Sequence, residues 1–166
     1  MNQPYTIRDA NEKDLARIVE IYNSTIQSRM VTADTEMVDV ESRLDWFLNH
    51  TSEKRPLWVM EDDGMIVGWL SFQDFYGRPA YQATAEISIY IDPTYRKKGI
   101  GAKFLDYAIK NAPTIGIHTL LGFIFAHNEP SIRLFKKFGF EQWAHFPGVA
   151  ELDGVKRDLL ILGRKI

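Results

Sequence analysis

Between a β-branched run and an amphipathic helix the chain places Ile89-Tyr90-Ile91-Asp92-Pro93-Thr94-Tyr95-Arg96-Lys97-Lys98-Gly99-Ile100-Gly101-Ala102, and no other passage limits the possible folds as tightly. Three cations and two glycines fall where a strand hands over to a helix. Glycine lets a backbone approach a ligand closely, the free N–H groups of a helix start point at phosphate oxygens, and the helix dipole favours an anion there. A diphosphate suits this arrangement; a solvated basic turn capped by glycines is the competing account. A dinucleotide-binding fold wants a third glycine, and a phosphate-binding P-loop wants a closing Gly-Lys-Ser/Thr. Neither is present, and the motif lies more than halfway along the 166 residues, whereas those folds tend to carry theirs in the first strand-helix unit.

The flanking sequence predicts one sheet covered by helices. Tyr5-Thr6-Ile7-Arg8 alternates like a strand, and Asn11 with Asp14 three residues on resembles a capped helix start. Leu15, Ile18, Val19, Tyr22 and Ile26 recur at helical spacing, and Val40, Leu44, Phe47 and Leu48 form a second stripe; both are expected to face the sheet. Leu57–Met60 and Met65–Phe72 flank the hairpin signal Asp63-Gly64. Gln73–Gln82, with Gly77, Pro79, Phe75, Tyr76 and Tyr81, reads as a loop lining a site. A strand over Thr84–Ile91, a helix through Phe104, Leu105, Ala108 and Ile109, and a strand at Thr119–Phe125 follow. Next come a short helix through Leu134, Phe135 and Phe138, and strands near Phe140–Phe146 and Lys156–Leu162. Antiparallel strands first, then a strand-helix-strand-helix-strand series, make a mixed α/β architecture in one domain, residues 1–166.

Composition removes several function classes. Twenty basic and 22 acidic side chains give a formal charge of −2, so no global basic field exists to hold nucleic acid. The absence of cysteine removes disulfides, thiolate nucleophiles and sulfur-ligated metals. His50, His118, His127 and His145 are scattered without metal-ligand spacing, so no metal is expected. The Met1–Tyr5 start has no basic stretch followed by an apolar run, and no segment approaches the roughly 20 apolar residues of a membrane span. A cytoplasmic protein is the expectation.

Arg96-x-x-Gly99-x-Gly101 resembles the pyrophosphate signature of the GNAT acetyltransferases. Ile7-Arg8-Asp9-Ala10 with Asp14 is similar to the family's first strand and helix, and Asn128-Glu129-Pro130-Ser131 through Leu134 to Gly139-Phe140 to its later motif. Ile21-Tyr22-Asn23, Gly77–Tyr81, Thr84-Ala85-Glu86 and Phe125–Asn128 look most like the phosphinothricin and methionine sulfoximine acetyltransferase group. The resemblance spans nearly the whole chain. It implies a central, mostly antiparallel mixed sheet flanked by about four helices, and acetyl-CoA as co-substrate. Pantetheine would run beside Ile89, Tyr90 and Ile91, and the diphosphate would sit on Arg96, Lys97, Lys98, Gly99, Ile100, Gly101 and Ala102. Asn128 and Lys137 would help hold it, and the assembly would be a homodimer.

Transfer to an amine needs a neutral nitrogen, yet an aliphatic ammonium with a pKa near 10.4 is almost wholly protonated at neutral pH. Strand alternation puts Glu86, Ser88 and Tyr90 on one face and Ile87, Ile89 and Ile91 on the other, which makes Glu86 the candidate base. The matching glutamate is the proposed base in the phosphinothricin group. Many family members carry tyrosine after the motif leucine to protonate the departing sulfur; here Leu134 is followed by Phe135, which has no proton to give. Arg78 is a candidate to grip an acceptor carboxylate or phosphinate, with Phe75, Tyr76 and Tyr81 as walls. His127 is a further candidate to approach the sulfur. With these residues the resemblance implies an N-acetyltransferase for a small amino-acid-like amine. A polyamine, aminoglycoside or protein amine would instead want an acidic pocket around Asp34, Glu36 and Asp39, and a non-catalytic CoA-binding domain is the other alternative.

Overall fold

A computed structural model describes residues 5–166; Met1–Pro4 of the N-terminal start lie outside the described residues. Strand β1 (Tyr5–Asp9) leads through an Asn11/Asp14 capping box into α1 (Leu15–Ile26). A long connection and the short α2 (Leu44–Leu48) precede the hairpin β2 (Leu57–Asp62) and β3 (Met65–Asp74). Then come β4 (Thr84–Ile91), α3 (Ile100–Asn111), β5 (Thr119–Phe125), α4 (Glu129–Lys137) and the hairpin β6 (Glu141–Leu152) and β7 (Val155–Lys165). The seven strands form one sheet in the order β1-β2-β3-β4-β5-β7-β6. Every neighbouring pair is antiparallel except β4 and β5, so the sheet is mixed, as the sequence predicts.

Alternation decides which helix each strand residue meets. Trp58, Met60, Leu70 and Phe72 point to a core closed by Phe104 and Leu105 of α3 and Phe135 of α4. Leu57, Val59 and Trp69 point the other way, against Ile18 and Ile21 of α1. Each such aliphatic side chain removed from water contributes about 1.5–3 kcal/mol, and these two layers fix the sheet between α1 and the α3/α4 pair.

The second apolar stripe behaves differently from its prediction. Val40 and Leu48 are exposed, and α2 is only five residues long, too short to present a continuous stripe to the sheet. Of the predicted stripe Phe47 packs on the cluster of Ile18, Val59 and Trp69, and beside it Trp46 does too, its ring meeting Trp69 at 5.4 Å. The last two strands are longer than predicted because Asp153 and Gly154, with φ of 54° and 78°, make a tight turn that lets the ladder run from Leu152↔Val155 to Glu141↔Gly163. No helix among the described residues is long and apolar enough to cross a membrane.

Candidate active site

The parallel pair β4/β5 stays in register only from Thr84↔Thr119 to Glu86↔Leu121. Beyond Glu86, β4 keeps its ladder with β3 up to Gly68↔Ile91 but leaves β5. The strands splay, and backbone groups of Ile87–Ile91 on the β5 side have no ladder partner there. A cleft of about 430 Å³ opens in the gap, bordered by Ile89, Tyr90, Ile91, Gly101, Asn128 and Phe135. The elements that floor it approach closely: a Cβ on Gly101 of α3 would stand 2.8 Å from Leu134 of α4, and one on Gly122 of β5 2.6 Å from the Phe135 ring of α4.

At the end of this cleft α3 begins on Gly99, whose φ of 79° is the left-handed region that favours glycine. No side chain among the described residues caps the helix, so the N–H groups of its first turn remain available to an anion. The preceding turn is pinned from below: Asp92 accepts from Thr94 N at 2.9 Å and from Arg17 at 2.6 Å. Ile100 is buried in the core, so only its backbone can serve a ligand, and Lys98 lies 5.0 Å over the Tyr95 ring. Unpaired strand backbone leading to an uncapped helix start fits a long ligand that carries amides at one end and a diphosphate at the other.

On the opposite face a smaller cavity of about 180 Å³ lies between the sheet, α1 and α2. Tyr22, Trp46, Trp69 and Tyr90 wall it, with Trp69 and Tyr90 centroids 4.5 Å apart and Trp69 Nε1 donating to the Ile18 carbonyl at 3.0 Å. Glu86, Ser88 and Tyr90 border this cavity and the cleft alike, so β4 is the wall between them. Burial raises the Glu86 carboxyl above its ordinary value, and no ion-pair partner among the described residues holds it down. Burial also raises the phenols of Tyr22, to about 12 with help from its hydrogen bond to Asp34, and of Tyr90, so both stay neutral at physiological pH.

Several predicted site residues are not brought to this place. Arg78, Phe75 and Tyr81 border a separate, very small pocket that begins at Asp74, the last residue of β3, and Phe75, Tyr76 and Tyr81 pack on one another at 4.5–6.1 Å. Arg55 causes this: its Nε lies 2.6 Å from Asp74 and its Nη2 donates to the Gln82 carbonyl at 2.9 Å, clamping both ends of the loop. Lys137 borders another depression with Trp143 and Arg164, away from the cleft. Asn128 reaches the cleft, where its side chain accepts from Ser131 N and donates to the Met30 carbonyl at 3.2 Å. His127 does not border the cleft; its Nε2 lies 2.8 Å from the Arg29 carbonyl. Asp34 is engaged by Tyr22 and Arg43, Asp39 caps Ser42, and neither they nor Glu36 line the Glu86 cavity. Among the described residues no three His, Asp or Glu side chains converge as metal ligands.

The family model for the Acetyltransferase (GNAT) family matches residues 17–140, three quarters of the chain and all of the splayed-strand region. The chain belongs to the GNAT acetyltransferase family. It is an acetyl-CoA-dependent N-acetyltransferase. The acetyltransferase is 56% identical over 162 residues, 97% of its own length and 99% of the other's, to YwnH of Bacillus subtilis (strain 168), provisionally named a phosphinothricin acetyltransferase. It is 33% identical over 157 residues, 95% of its length and 92% of the other's, to an L-methionine sulfoximine/L-methionine sulfone acetyltransferase of Salmonella typhimurium. The structure of yncA, a provisionally described acetyltransferase from Salmonella typhimurium solved with its cofactor acetyl-CoA, superposes with a TM-score of 0.90 at 32% identity, covering 98% of this chain and 94% of that one.

Sequence reasoning missed the residues that line the small cavity of the acetyltransferase from outside β4. Arg43 and Trp46 lie in a stretch read only for its apolar stripe, Ser71 lies in a strand read only as core, and Gln73, read as the first residue of a loop lining a site, lines this cavity as the last-but-one residue of β3. The signal for the last two was present: polar residues at alternate positions after Trp69 mark a strand face that turns from core to cavity.

Proposed function

We propose that this acetyltransferase moves an acetyl group from acetyl-CoA to the α-amine of a small amino-acid-like acceptor of the phosphinothricin or methionine sulfoximine type, by direct attack, with Glu86 as the general base. The observation that carries the reading is the position of Glu86 on the strand that separates the two cavities, with a carboxyl raised by burial and with no cationic partner among the described residues. Raising a carboxyl toward neutrality matches it to the task of taking a proton from an ammonium.

The co-substrate supplies an activated acetyl thioester. Ile89–Ile91 backbone on the β5 side offers partners for pantetheine amides, while the N–H groups from Lys97 to Ala102, with the charges of Arg96, Lys97 and Lys98, receive the diphosphate. Asn128 holds the cleft's rim. The acceptor enters the opposite cavity, its ammonium loses a proton to Glu86 directly or through water, and the nitrogen lone pair attacks the thioester carbon. Backbone N–H groups of the splayed strand near Ile89 stabilise the oxyanion. The carbon–sulfur bond then breaks, the nitrogen gives up its second proton through water to the departing thiolate, and the neutral amide leaves. Since Phe135 carries no proton, water protonates the sulfur, which with a thiol pKa near 8.5 is a tolerable leaving group.

The reading extends to one domain that works in the cytoplasm as a homodimer; the homodimer is supported by apolar side chains left exposed on the edge strand β6, Trp143 at 45% and Phe146 at 42%. The test is thiol release from acetyl-CoA with methionine sulfoximine, phosphinothricin, methionine sulfone, ordinary amino acids, polyamines and aminoglycosides, on wild type and Glu86→Gln. Turnover confined to amino acids and their analogues, and lost in the variant at neutral pH, is the expected result. Turnover only on polyamines or aminoglycosides would overturn the acceptor class, and full activity of the variant would overturn the base.

A further inference from the structure

The acceptor cavity holds two side chains that are charged at neutral pH when Glu86 is ionised: Glu86 itself and Arg43. Arg43 closes the 3-10 turn Glu41–Arg43 immediately before α2, the helix whose Trp46 is held against Trp69. Its guanidinium carbon stands 5.3 Å over the Tyr22 ring and its Nη2 donates to Asp34 at 3.2 Å. Asp34 in turn accepts from the Tyr22 hydroxyl, so the guanidinium is held in place through a neighbour. Asp34 itself does not border the cavity: the space meets the cation and not its partner. Nε and Nη1 of Arg43 make no hydrogen bond with the described residues, leaving donors of the fork for a ligand.

A cavity with one carboxylate that can accept a proton and one fixed guanidinium is dipolar. An amino acid is dipolar in the matching sense, with an ammonium to be deprotonated and a carboxylate to be bound. A polyamine or aminoglycoside would bring further positive charge against Arg43. Resting on the acceptor class argued above, we propose that Arg43 is the anchor for the acceptor's α-carboxylate, the role that the sequence offers to Arg78. Arg78 lies in the loop clamped by Arg55 and does not border this cavity.

The test compares L-methionine sulfone with its α-carboxamide on wild type, Arg43→Gln, Arg43→Lys and Arg78→Gln, reading kcat/KM for each acceptor and KM for acetyl-CoA. The ratio of acid to amide within one variant, compared across variants, cancels the different basicity of the two amines. A charge-assisted hydrogen bond of this kind predicts that Arg43→Gln lowers the acid-to-amide ratio by about 10- to 100-fold, through KM for the acid, while Arg43→Lys keeps part of the preference and Arg78→Gln keeps all of it. Turnover of the amide by Arg43→Gln reports that the cavity is still formed. An equal fall on acid and amide would mean that Arg43 only braces Asp34 and Tyr22, and would overturn the assignment, as would a ratio lost in Arg78→Gln instead. Wild type silent on every amino acid would sink the acceptor class and this anchor together; turnover with an unmoved ratio sinks the anchor alone.

Discussion

Gly122 sits in β5 where the floor of the cleft meets the ring of Phe135, and replacing it by alanine tests how tightly that floor is built. A Cβ at this position would lie 2.6, 3.0 and 3.3 Å from three atoms of the ring. Carbon atoms rest at about 3.5–4.0 Å, so the ring must retreat by about 1 Å. It cannot do so freely: Phe135 is buried and its ring meets Phe140 edge-on at 4.9 Å. Overpacking of this kind costs about 1–3 kcal/mol, which at about 2–4 °C per kcal/mol for a chain of this size lowers Tm by about 2–12 °C. Scanning calorimetry on Gly122→Ala reads the shift, and Phe135→Leu supplies the control, because the alanine costs less once the rigid ring is gone. The relieved ring moves toward the cleft, so KM for acetyl-CoA rises severalfold in the single variant. An unchanged Tm, or an equal loss in both backgrounds, would refute the claim that Gly122 is there to admit Phe135.

Glu86→Gln lowers kcat by about 10²- to 10⁴-fold, the usual worth of a general base, and wild-type kcat/KM rises with pH as the burial-raised carboxyl ionises. Because its folded-state pKa is raised, the native chain binds the Glu86 proton more tightly than the unfolded chain does, and stability falls as pH climbs from the ordinary carboxyl range through the raised value. Thermal melts therefore show Glu86→Gln gaining on wild type as pH rises toward neutral; a constant difference would contradict the burial argument. Gly99→Ala forces an alanine into the left-handed region at φ 79° and costs about 1–2 kcal/mol, with weaker CoA binding by calorimetry; an unchanged Kd would remove the α3 start from the diphosphate site. Tyr22→Phe removes the hydroxyl shared by Thr32 and Asp34 and costs about 1–3 kcal/mol, with a raised KM for the acceptor; an acceptor KM equal to wild type would show that this network does not shape the cavity.

Local chemistry made much of this protein legible before any fold was known. Period-two alternation in Thr84–Ile91 determines that Glu86, Ser88 and Tyr90 share a face, since a strand has only two. The Asn11/Asp14 cap, the Asp63-Gly64 turn and the glycine start of α3 are likewise decided within a few residues. Tertiary structure decided what each face looks at. The divergence of β4 from β5 after Glu86, which creates the cleft, joins strands 28 or more residues apart and has no local signature. Arg55 bonds both ends of the Phe75–Tyr81 loop, and the α1–α2 connection carries Arg43 into the cavity, two outcomes set by tertiary ion pairs and aromatic packing rather than by spacing. The sequence by itself offered candidates for the chemistry of an acetyl transfer, because residue type and strand parity are local; only the packing of α2 against Trp69 decided which arginine lines the cavity that Glu86 borders.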